Sequence, residues 1–479
     1  MRAINLQRAV RIVLLAGVGV LSAGQASASG FALAEQNSSG LGNAYAGAAA
    51  VAEDASTIFF NSAGLSRISR PSLVVNLSGI NIDSKFHDSG SVAALGQSLP
   101  PGGTGGNAGD FTVLPSVYFA MPVAPGFSAG LSVNAPFGLK TEYDSSWMGR
   151  YQAIKSDVKT TNINLAVAYQ LNKMISLGAG VDYQTINATL TSAVNYDAVI
   201  AGAIQANPLL SGLVSSIPTI ISLNPGLQGA SKVKGDDSAP GFDVGLLLTP
   251  TEQTRIGLSY RSAFKYKITG NTTITAPDLT LNPLNPSTPG LSTVSTIIPG
   301  AKASSNANGL ADGPITLNLK LPASARLAIV QEMGNKLELL GEVSWTQWSS
   351  VQKLEIVRTN GVLLSKTGEK WQNTMRYAVG ANYKLMDTLK LRAGIAFDES
   401  PVPDSTRTPR LPDADRTWLS AGGKFDINKN VALDFAYAHL FVKDAKLNQD
   451  NTNAVAYGLL AGKQKTSIDI LGVQATVGF

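Results

Sequence analysis

The feature that most constrains this chain is a two-residue alternation of apolar with small or polar side chains, repeated in many segments. The last segment shows it clearly, because Leu471 and Val473 alternate with Gly472 and Gln474. Alternate residues of a β-strand point to opposite faces of a sheet, so each segment of about ten such residues is typical of a strand with one apolar face. The same alternation recurs at 163–169, 389–398 and 431–438.

These segments continue from residue 71 to the end of the chain. About fourteen can be counted, an even number, as single-chain bacterial membrane barrels require. The candidates are 71–83, 111–123, 127–143, 154–170, 174–189, 241–250, 253–270, 315–331, 335–348, 371–385, 388–398, 415–427, 430–443 and 463–479. Short turns alternate with longer connections. The sequence therefore predicts an all-β fold, a transmembrane antiparallel barrel of about fourteen strands.

A soluble β-sandwich would show a similar alternation. In this chain, however, the apolar face of a segment often ends in an aromatic residue, as at Tyr169, Tyr183, Tyr260, Trp345, Tyr383 and Tyr437. Such residues form girdles at the two edges of a membrane barrel. No later segment offers about 18–20 apolar residues free of Gly and Pro breaks. A closed barrel of strands is then the remaining way to satisfy the backbone hydrogen-bonding groups in a bilayer. Outer-membrane lipid is therefore a predicted partner of the outer strand faces.

The first 28 residues have the pattern of an export signal. Three arginines precede an apolar run at 12–23, and the small residues at 26–28 fit the cleavage rule. A membrane anchor is the alternative, but the apolar run is short for a span. Residues 1–28 are therefore predicted to be a signal peptide. The absence of cysteine suits a chain that enters an oxidising periplasm.

Residues 29–70 read poorly as a strand and are rich in Gly, Ala and Ser. A barrel of fourteen strands would leak unless something filled its lumen. Small residues let backbones approach closely, so we predict that this segment is a hatch that plugs the barrel at 71–479. Asn61 is suited to bridging the hatch backbone and the wall, and Arg392 and Asp398 on the inward strand faces are possible partners.

One predicted strand contains an irregular stretch. Asn134, Pro136, Phe137 and Gly138 fall inside an otherwise strand-like region. Proline removes a ladder donor and glycine favours a bulge, so the wall should be interrupted there. The alternatives are an ordinary bulge and a lateral opening.

Two long connections, near 190–240 and 271–314, are predicted to be extracellular loops although they are apolar. Exposed apolar surface on this scale needs a reason. One interpretation is that the loops form a landing groove for hydrophobic solutes, and the other is that they pack on one another as a cap. The two interpretations can both be true. The predicted capture residues are Ile204, Leu209, Leu210, Leu213 and Ile220.

Nothing in the sequence argues for an enzyme, a cofactor or a metal site. The two histidines, His87 and His439, are far apart, and no nucleotide, nucleophile-elbow or Cys/His metal motif is present. A lipid hydrolase with a serine beside His439 is the weakest alternative. The formal net charge of +5 includes three signal arginines, and no basic cluster indicates nucleic acid.

Several stretches resemble the FadL/TodX family of outer-membrane channels for long-chain fatty acids and other hydrophobic compounds. They are SGF at 29–31, SSGLGNAYAG at 38–47, AEDASTIFFNSAGL at 52–65, NAPFGLKTEY at 134–143, WTQWSSVQKLE at 345–355 and RAGIAFDESPVPDSTRTPRLPDADRTWLSAG at 392–422. The resemblance covers essentially the whole mature chain. The final residue, Phe479, resembles the aromatic terminus by which barrel-assembly machinery recognises its clients.

The resemblance implies a mechanism in the outer membrane of a Gram-negative bacterium. A hydrophobic solute is captured at the loops, enters a pocket, shifts the hatch and leaves sideways through the kink, and the channel is a monomer. The residues implied at the pocket and hatch are Phe31, Phe60, Asn61, Ala63 and Asp398.

The sequence departs from the family in two places. Ser62 stands where the family commonly has a hatch proline. Fatty-acid members use basic pocket residues, but Leu190, at the end of the fifth predicted strand, is not basic. Lys353, Arg376 and Arg392 are the candidate carboxylate partners. The substrate is therefore a long-chain fatty acid or an aromatic or alkane hydrocarbon, and a structural or adhesive barrel without transport is the alternative from another class.

Overall fold

The wall of the molecule is one antiparallel sheet that closes on itself. The structure, a computed structural model, describes residues 30–94, 103–206, 215, 227–276, 310–448 and 454–479, and the predicted signal lies outside them. The strand segments are β1 (Ser72–Asp88), β2 (Phe111–Ala124), β3 (Phe127–Asn134), β4 (Gly138–Glu142), β5 (Lys155–Gln170), β6 (Ile175–Asn195), β7 (Gln228–Thr251), β8 (Thr254–Arg261), β9 (Phe264–Thr275), β10 (Gly313–Leu321), β11 (Ser324–Met333), β12 (Leu337–Thr346), β13 (Lys353–Arg358), β14 (Leu363–Gly368), β15 (Thr374–Met386), β16 (Leu389–Asp398), β17 (Arg416–Asn428), β18 (Val431–Val442), β19 (Ala445–Asn448) and β20 (Ala461–Gly478). Ser72 pairs with Gly478, and the Phe479 amide donates to the Pro71 carbonyl at 2.9 Å, so the first and last strands close the barrel.

Six pairs of consecutive segments share one position in the wall, because an interruption divides a strand in two. They are β3 and β4, β8 and β9, β10 and β11, β12 and β13, β14 and β15, and β18 and β19. The wall therefore has fourteen strands, and the predicted barrel is confirmed.

Two strands run further than the sequence analysis predicted. β6 continues to Asn195, and β7 begins at Gln228 and pairs with it residue by residue. The predicted loop boundaries of 190 and 240 are therefore wrong. Ser, Thr, Ala and Gly dominate these extensions and blur the alternation, although backbone pairing does not depend on apolar side chains. Helix α4 (Tyr196–Ala206) follows β6.

The other long loop, predicted at 271–314, lies mostly outside the described residues. Its ends belong to β9 and β10.

The outward strand faces are apolar and carry aromatic residues. Leu471 and Val473 are 63% and 47% exposed, whereas Gln474 of the same strand faces inwards and is fully buried. Five of the six predicted girdle residues are exposed large side chains on this surface: Tyr169, Tyr183, Tyr260, Tyr383 and Tyr437. Within the described residues, no helix has the length and apolarity of a membrane span. The apolar outer face matches a lipid environment.

The segment 30–70 lies inside the barrel; we call it the N-terminal segment. It contains α1 (Ser38–Leu41), α2 (Ala48–Val51), α3 (Thr57–Phe60) and a 3₁₀ turn (Ser62–Arg67). Helix α1 packs on β17, β18 and β20, α2 on β8 and β11, and the turn on β5, β6 and β7. Because it touches walls on different sides, the segment fills the lumen.

Glycines on the inward faces of the strands allow this close fit. A Cβ atom on Gly422 would lie 2.9 Å from the Gly42 Cα atom, and one on Gly380 would lie 3.0 Å from the Asn43 carbonyl oxygen. Real Cβ contacts are rarely so short, so only glycine leaves room for the segment's backbone here.

Candidate functional site

The barrel wall is interrupted at the irregular stretch singled out from the sequence. β3 ends at Asn134 and pairs with both β2 and β5, whereas β4 begins at Gly138 and, within the described residues, pairs as a strand with β5 alone. Pro136 lies between them and has no amide hydrogen to donate. The ladder between the second and third wall strands stops at the pair Val117 and Val133.

The N-terminal segment lies against this interruption. The Leu33 amide donates to the Pro136 carbonyl at 2.8 Å, and the Gly138 amide donates to the Phe31 carbonyl at 2.8 Å. Ala32 and Phe137 form an antiparallel bridge. Backbone groups that the wall leaves unpaired are thus satisfied from inside the barrel.

Phe31 lies at the centre of four aromatic side chains, which we call the aromatic cluster: Phe31, Phe137, Trp348 and Trp371. The Phe31 ring centroid lies 5.0 Å from that of Trp348, 5.9 Å from that of Trp371 and 6.0 Å from that of Phe137. All four side chains are buried. Aliphatic and aromatic residues from around the lumen complete this apolar group: Leu139, Ile186, Ala239, Phe264, Tyr266, Ile268, Leu321, Val351, Val402 and Leu411.

No role was predicted for Trp348 or Trp371 from the sequence. Trp348 lies in a 3₁₀ turn between β12 and β13, and Trp371 lies between β14 and β15. The sequence signal that could have identified them is a large aromatic residue at a position where the strand alternation breaks. A Cβ atom on Gly30 would lie 2.7 Å from the Trp348 ring, and Gly30 has a φ of +61°, so glycine is required beside this ring.

The loop between β16 and β17, residues 399–415, fixes the start of the N-terminal segment. Asp413 accepts hydrogen bonds from the Gly30 amide at 2.9 Å and from the Ser400 hydroxyl at 2.7 Å. Its other oxygen pairs with Arg416. Burial raises the pKa of Asp413, and Arg416 opposes that shift. The buried carboxyl group therefore joins loop, wall and N-terminal segment.

Asn61 connects the N-terminal segment with the wall. Its side-chain amide donates to the Ala49 carbonyl at 2.7 Å and to the Leu246 carbonyl of β7 at 3.1 Å, and its oxygen accepts the Ala63 amide at 3.0 Å. Asn61 precedes the 3₁₀ turn, and Ser62 begins it. Proline is favoured at the first position of a helix, but the turn forms here with serine.

Phe60 and Asp398 are also buried. The Phe60 ring stacks on Tyr45 with centroids 5.7 Å apart, and the Arg326 guanidinium lies 5.1 Å from its centroid. Asp398 ends β16, with Arg376 opposite it on one side and Arg416 on the other.

The three candidate carboxylate partners do not meet in the aromatic cluster. Lys353 is 57% exposed and pairs with Glu355 at 2.7 Å. Arg376 donates to the Ala44 carbonyl at 2.8 Å, and its guanidinium lies 5.1 Å from the Trp418 ring centroid.

Arg392 already forms ion pairs with two carboxylates. It is buried and pairs with Glu53 of the N-terminal segment and, at 2.8 Å, with Asp434 of β18. It therefore links the N-terminal segment and the wall away from Phe31.

Of the predicted capture residues, Ile204 lies in α4 and is 1% exposed. In this conformation it does not form an open landing surface. Leu209, Leu210, Leu213 and Ile220 lie outside the described residues.

The histidines do not form a recognisable catalytic arrangement. His87 lies in β1. His439 Nδ1 lies 2.8 Å from Asp469, which also accepts the Tyr437 hydroxyl at 2.6 Å. Within the described part of the chain, no serine hydroxyl bonds to His439, and no group of three or more His, Asp or Glu side chains could hold a metal ion.

Comparisons with known proteins agree on the kind of protein. A family model described as "Outer membrane protein transport protein (OMPP1/FadL/TodX)" matches residues 19–479. The long-chain fatty acid transport protein of Escherichia coli K12 is 29% identical over 429 residues, covering 89% of this chain and 90% of that protein. Outer membrane protein P1 of Haemophilus influenzae is 30% identical over 454 residues, covering 92% of each.

Solved structures share the fold. A Pseudomonas aeruginosa FadL homologue superposes with a TM-score of 0.79 at 26% identity, covering 94% of this chain and 100% of that one. The Pseudomonas putida toluene transporter TodX gives a TM-score of 0.62 at 17% identity, covering 94% and 100%, and this likeness is one of fold alone.

Proposed function

The chain belongs to the OMPP1/FadL/TodX family of outer membrane transport proteins, and on this premise we propose that it is a passive uptake channel for hydrophobic compounds, with long-chain fatty acids as its main substrates. Relatives named as long-chain fatty acid transport proteins support this substrate class.

One observation carries the proposal: the N-terminal segment contacts both the aromatic cluster and the interruption in the wall. Phe31 fills the apolar group, and its own carbonyl accepts the amide of Gly138. A hydrophobic ligand that enters the apolar group competes with the Phe31 ring. Displacing Phe31 also breaks the backbone bonds at the wall gap, so occupancy of the pocket is coupled to lateral exit.

The domains have corresponding roles in this proposal. Residues 1–28 direct export, 29–70 form the movable hatch, and 71–479 form the barrel with its apolar extracellular loops. Asn61, Ala63 and Arg392 keep the deeper part of the hatch on the wall while the part near Phe31 moves. Phe479 serves recognition by the assembly machinery, and the protein works as a monomer.

Hydrocarbon uptake is the second candidate function. The fold it shares with the toluene transporter TodX, and an aromatic cluster without charge at its centre, favour it. A structural barrel without transport is the third.

The deciding experiment is uptake in a bacterial strain that lacks its own fatty-acid channel and carries this gene. Labelled oleate and labelled toluene are compared at equal concentrations. We expect oleate uptake well above that of the empty vector. Uptake of toluene alone would assign the protein to hydrocarbons, and uptake of neither by a folded outer-membrane barrel would reject the channel.

A further inference from the structure

Lysines collect on the outer surface of the barrel, beyond its apolar part and towards the long connections. They lie on four neighbouring strands of the wall, the seventh to the tenth. The residues that flank them on β9 and β10 belong to the apolar group around Phe31, so alternation turns these lysines outwards. We call five lysines the basic band: Lys265 and Lys267 on β9, Lys320 on β10, Lys353 on β13 and Lys366 on β14.

Like charges face one another within the basic band. Lys265 and Lys320 are directly opposite in the antiparallel pairing of β9 with β10. Directly opposite residues have Cβ atoms about 4.5–5.5 Å apart, and two like charges there destabilise the sheet. Lys267 lies about 7 Å further along the same face of β9. An anion with more than one negative charge would remove the repulsion among these three lysines.

The protein itself supplies few counter-charges to the basic band. Glu355 is shared by Lys353 at 2.7 Å and Lys366 at 2.9 Å. The other three lysines of the band form no ion pair within 4.0 Å among the described residues. The carboxylate of Asp237, on the adjacent β7, accepts the backbone amide of Lys267 at 2.6 Å. Three ammonium groups of the band are therefore left for an external anion.

The neighbouring strand β7 does not reverse this balance. Its other charged residues near the band are Lys232, Lys234 and Asp236, and all three are exposed. An outer surface with so many more lysines than carboxylates creates a positive potential that attracts anions.

An apolar groove of about 820 Å³ lies mainly on the same four wall strands, closer to the short turns. Its floor is at Gly341 of β12, which pairs with Ile329 on one side and with Val379 on the other. These two side chains are 46% and 60% exposed and flank the floor. The other outward-facing residues of the groove are Ile256, Leu327, Val343, Tyr377, Ile395 and Phe397. Because this surface faces lipid, acyl chains are the groups that fill the groove.

The basic band and the groove are separated by about the depth of one membrane leaflet. Leu327 follows Lys320 on the same wall strand, about 20 Å further along it at about 3.3 Å per residue. Barrel strands tilt by about 35–45°, so the separation across the membrane is about 15 Å. Half of the hydrocarbon core of a bilayer is also about 15 Å thick. The two features can therefore contact the headgroup and the acyl chains of one lipid.

We propose that the basic band and the groove together bind lipopolysaccharide, the phosphorylated and multiply acylated glycolipid of the outer leaflet. Membrane barrels place their short turns on the periplasmic side, so the band faces the outer leaflet. Phosphates of the lipid lie between Lys265, Lys267 and Lys320, because charge-assisted bonds from ammonium to phosphate are strong. Its acyl chains lie in the groove. The site is outside the lumen, and the assignment does not depend on the uptake function.

The test compares lipid A, the phosphorylated anchor of lipopolysaccharide, with the same lipid after its phosphates have been removed. Binding to the purified full-length barrel in detergent is measured by native mass spectrometry. The variant is the triple substitution Lys265→Gln, Lys267→Gln and Lys320→Gln. We expect it to lose on the order of a hundredfold in lipid A affinity, since each lysine near an anionic lipid surface contributes about fivefold. Affinity for the dephosphorylated lipid should be weak and unchanged.

A second triple variant removes the same charge at the opposite end of the barrel and should match the wild type. Its substitutions fall on exposed lysines in three short turns: Lys173→Gln, Lys336→Gln and Lys429→Gln. An equal loss in this control would overturn the proposal, because binding would then follow total charge. Wild-type lipid A affinity in the band variant would overturn it too. So would equal wild-type affinities for lipid A and for phosphatidylglycerol, a lipid of simpler headgroup and fewer chains.

The groove is tested by Gly341→Leu. A Cβ atom on Gly341 would have the Ile329 side chain as its near neighbour, at 3.3 Å, so the new side chain can occupy the groove. We expect lipid A affinity to fall about fourfold to fifteenfold, the equivalent of one or two methylene groups left unburied. Ala475→Leu, on the outward face of β20 and outside the groove, should bind as the wild type does. Equal affinities of the two variants would show that the acyl chains lie elsewhere and would overturn the joint site.

Discussion

The ring of Phe31 lies edge-on to the ring of Phe137, with centroids 6.0 Å apart, at the point where the barrel wall loses its hydrogen bonds. Phe31 belongs to the N-terminal segment and Phe137 to the interruption between β3 and β4. The Gly138 amide, next to Phe137, donates to the carbonyl of Phe31 itself. One residue therefore fills the apolar group and seals the gap in the wall.

Replacing Phe31 with alanine should loosen this seal. Removing a buried phenylalanine from a packed site costs about 3–5 kcal/mol, and here the loss falls on the residue whose carbonyl accepts the Gly138 amide. We expect faster hydrogen exchange at the Gly138 amide and an unchanged barrel. Phe425→Ala, at an outward position 46% exposed, is the control. Equal exchange in both variants would show that the Phe31 ring does not hold the seal.

Two adjacent glycines of β17 should respond differently to the same substitution. Gly422 faces Gly42 of the N-terminal segment, whereas a Cβ atom on Gly423 would have its nearest neighbour at 3.4 Å. Gly422→Val should therefore displace the segment and lower the thermal stability of the barrel, and Gly423→Val should have a small effect. Melting of both variants in the same detergent makes the comparison. A larger loss for Gly423→Val would contradict the close fit described above.

Restoring a backbone donor in the gap should slow uptake. Pro136→Val supplies an amide and a residue that favours strands, so the wall can close further. We expect lower uptake of the transported compound with normal amounts of folded barrel. Pro122→Val, on the neighbouring β2, is the matched control. Wild-type uptake in the Pro136 variant would argue against exit through this gap.

Glu369 should make the stability of the barrel sensitive to pH. Its pKa is raised from 4.5 to about 7 because burial disfavours the charged form. The folded state then holds a proton that the unfolded state has lost between these values. The contribution of protonated Glu369 to the free energy of unfolding is therefore complete below pH 4.5. It falls by up to about 3 kcal/mol as the pH rises towards 7.

The Glu369→Gln variant should abolish most of this pH dependence. Melting temperatures of the wild type and the variant at pH 4.5 and 7.5 test it, with Glu252→Gln in the exposed β7–β8 turn as the control. The same slope in all three proteins would show that Glu369 is not the group responsible.

The barrel could be predicted from residue patterns alone. Alternation is a local property, because neighbouring residues of any strand must face opposite sides. About fourteen strands could therefore be counted, and their apolar outer faces identified, without a structure. The effect of Pro136 is also local, since the missing donor belongs to the residue itself. The ends of β6 and β7 were missed because small polar residues carry no alternation signal.

Which side chains share the lumen could not be predicted from local patterns, because it depends on how the barrel closes. Trp348 and Trp371 meet Phe31 from more than three hundred residues away, and Arg410 reaches Ser156 across a separation of 254 residues. Such contacts follow from closure of the barrel and from the path of one loop across it. Arg376 and Arg392 are both basic and face inwards, but the fold brings only the Ala44 carbonyl to Arg376, whereas it brings the carboxylates of Glu53 and Asp434 to Arg392.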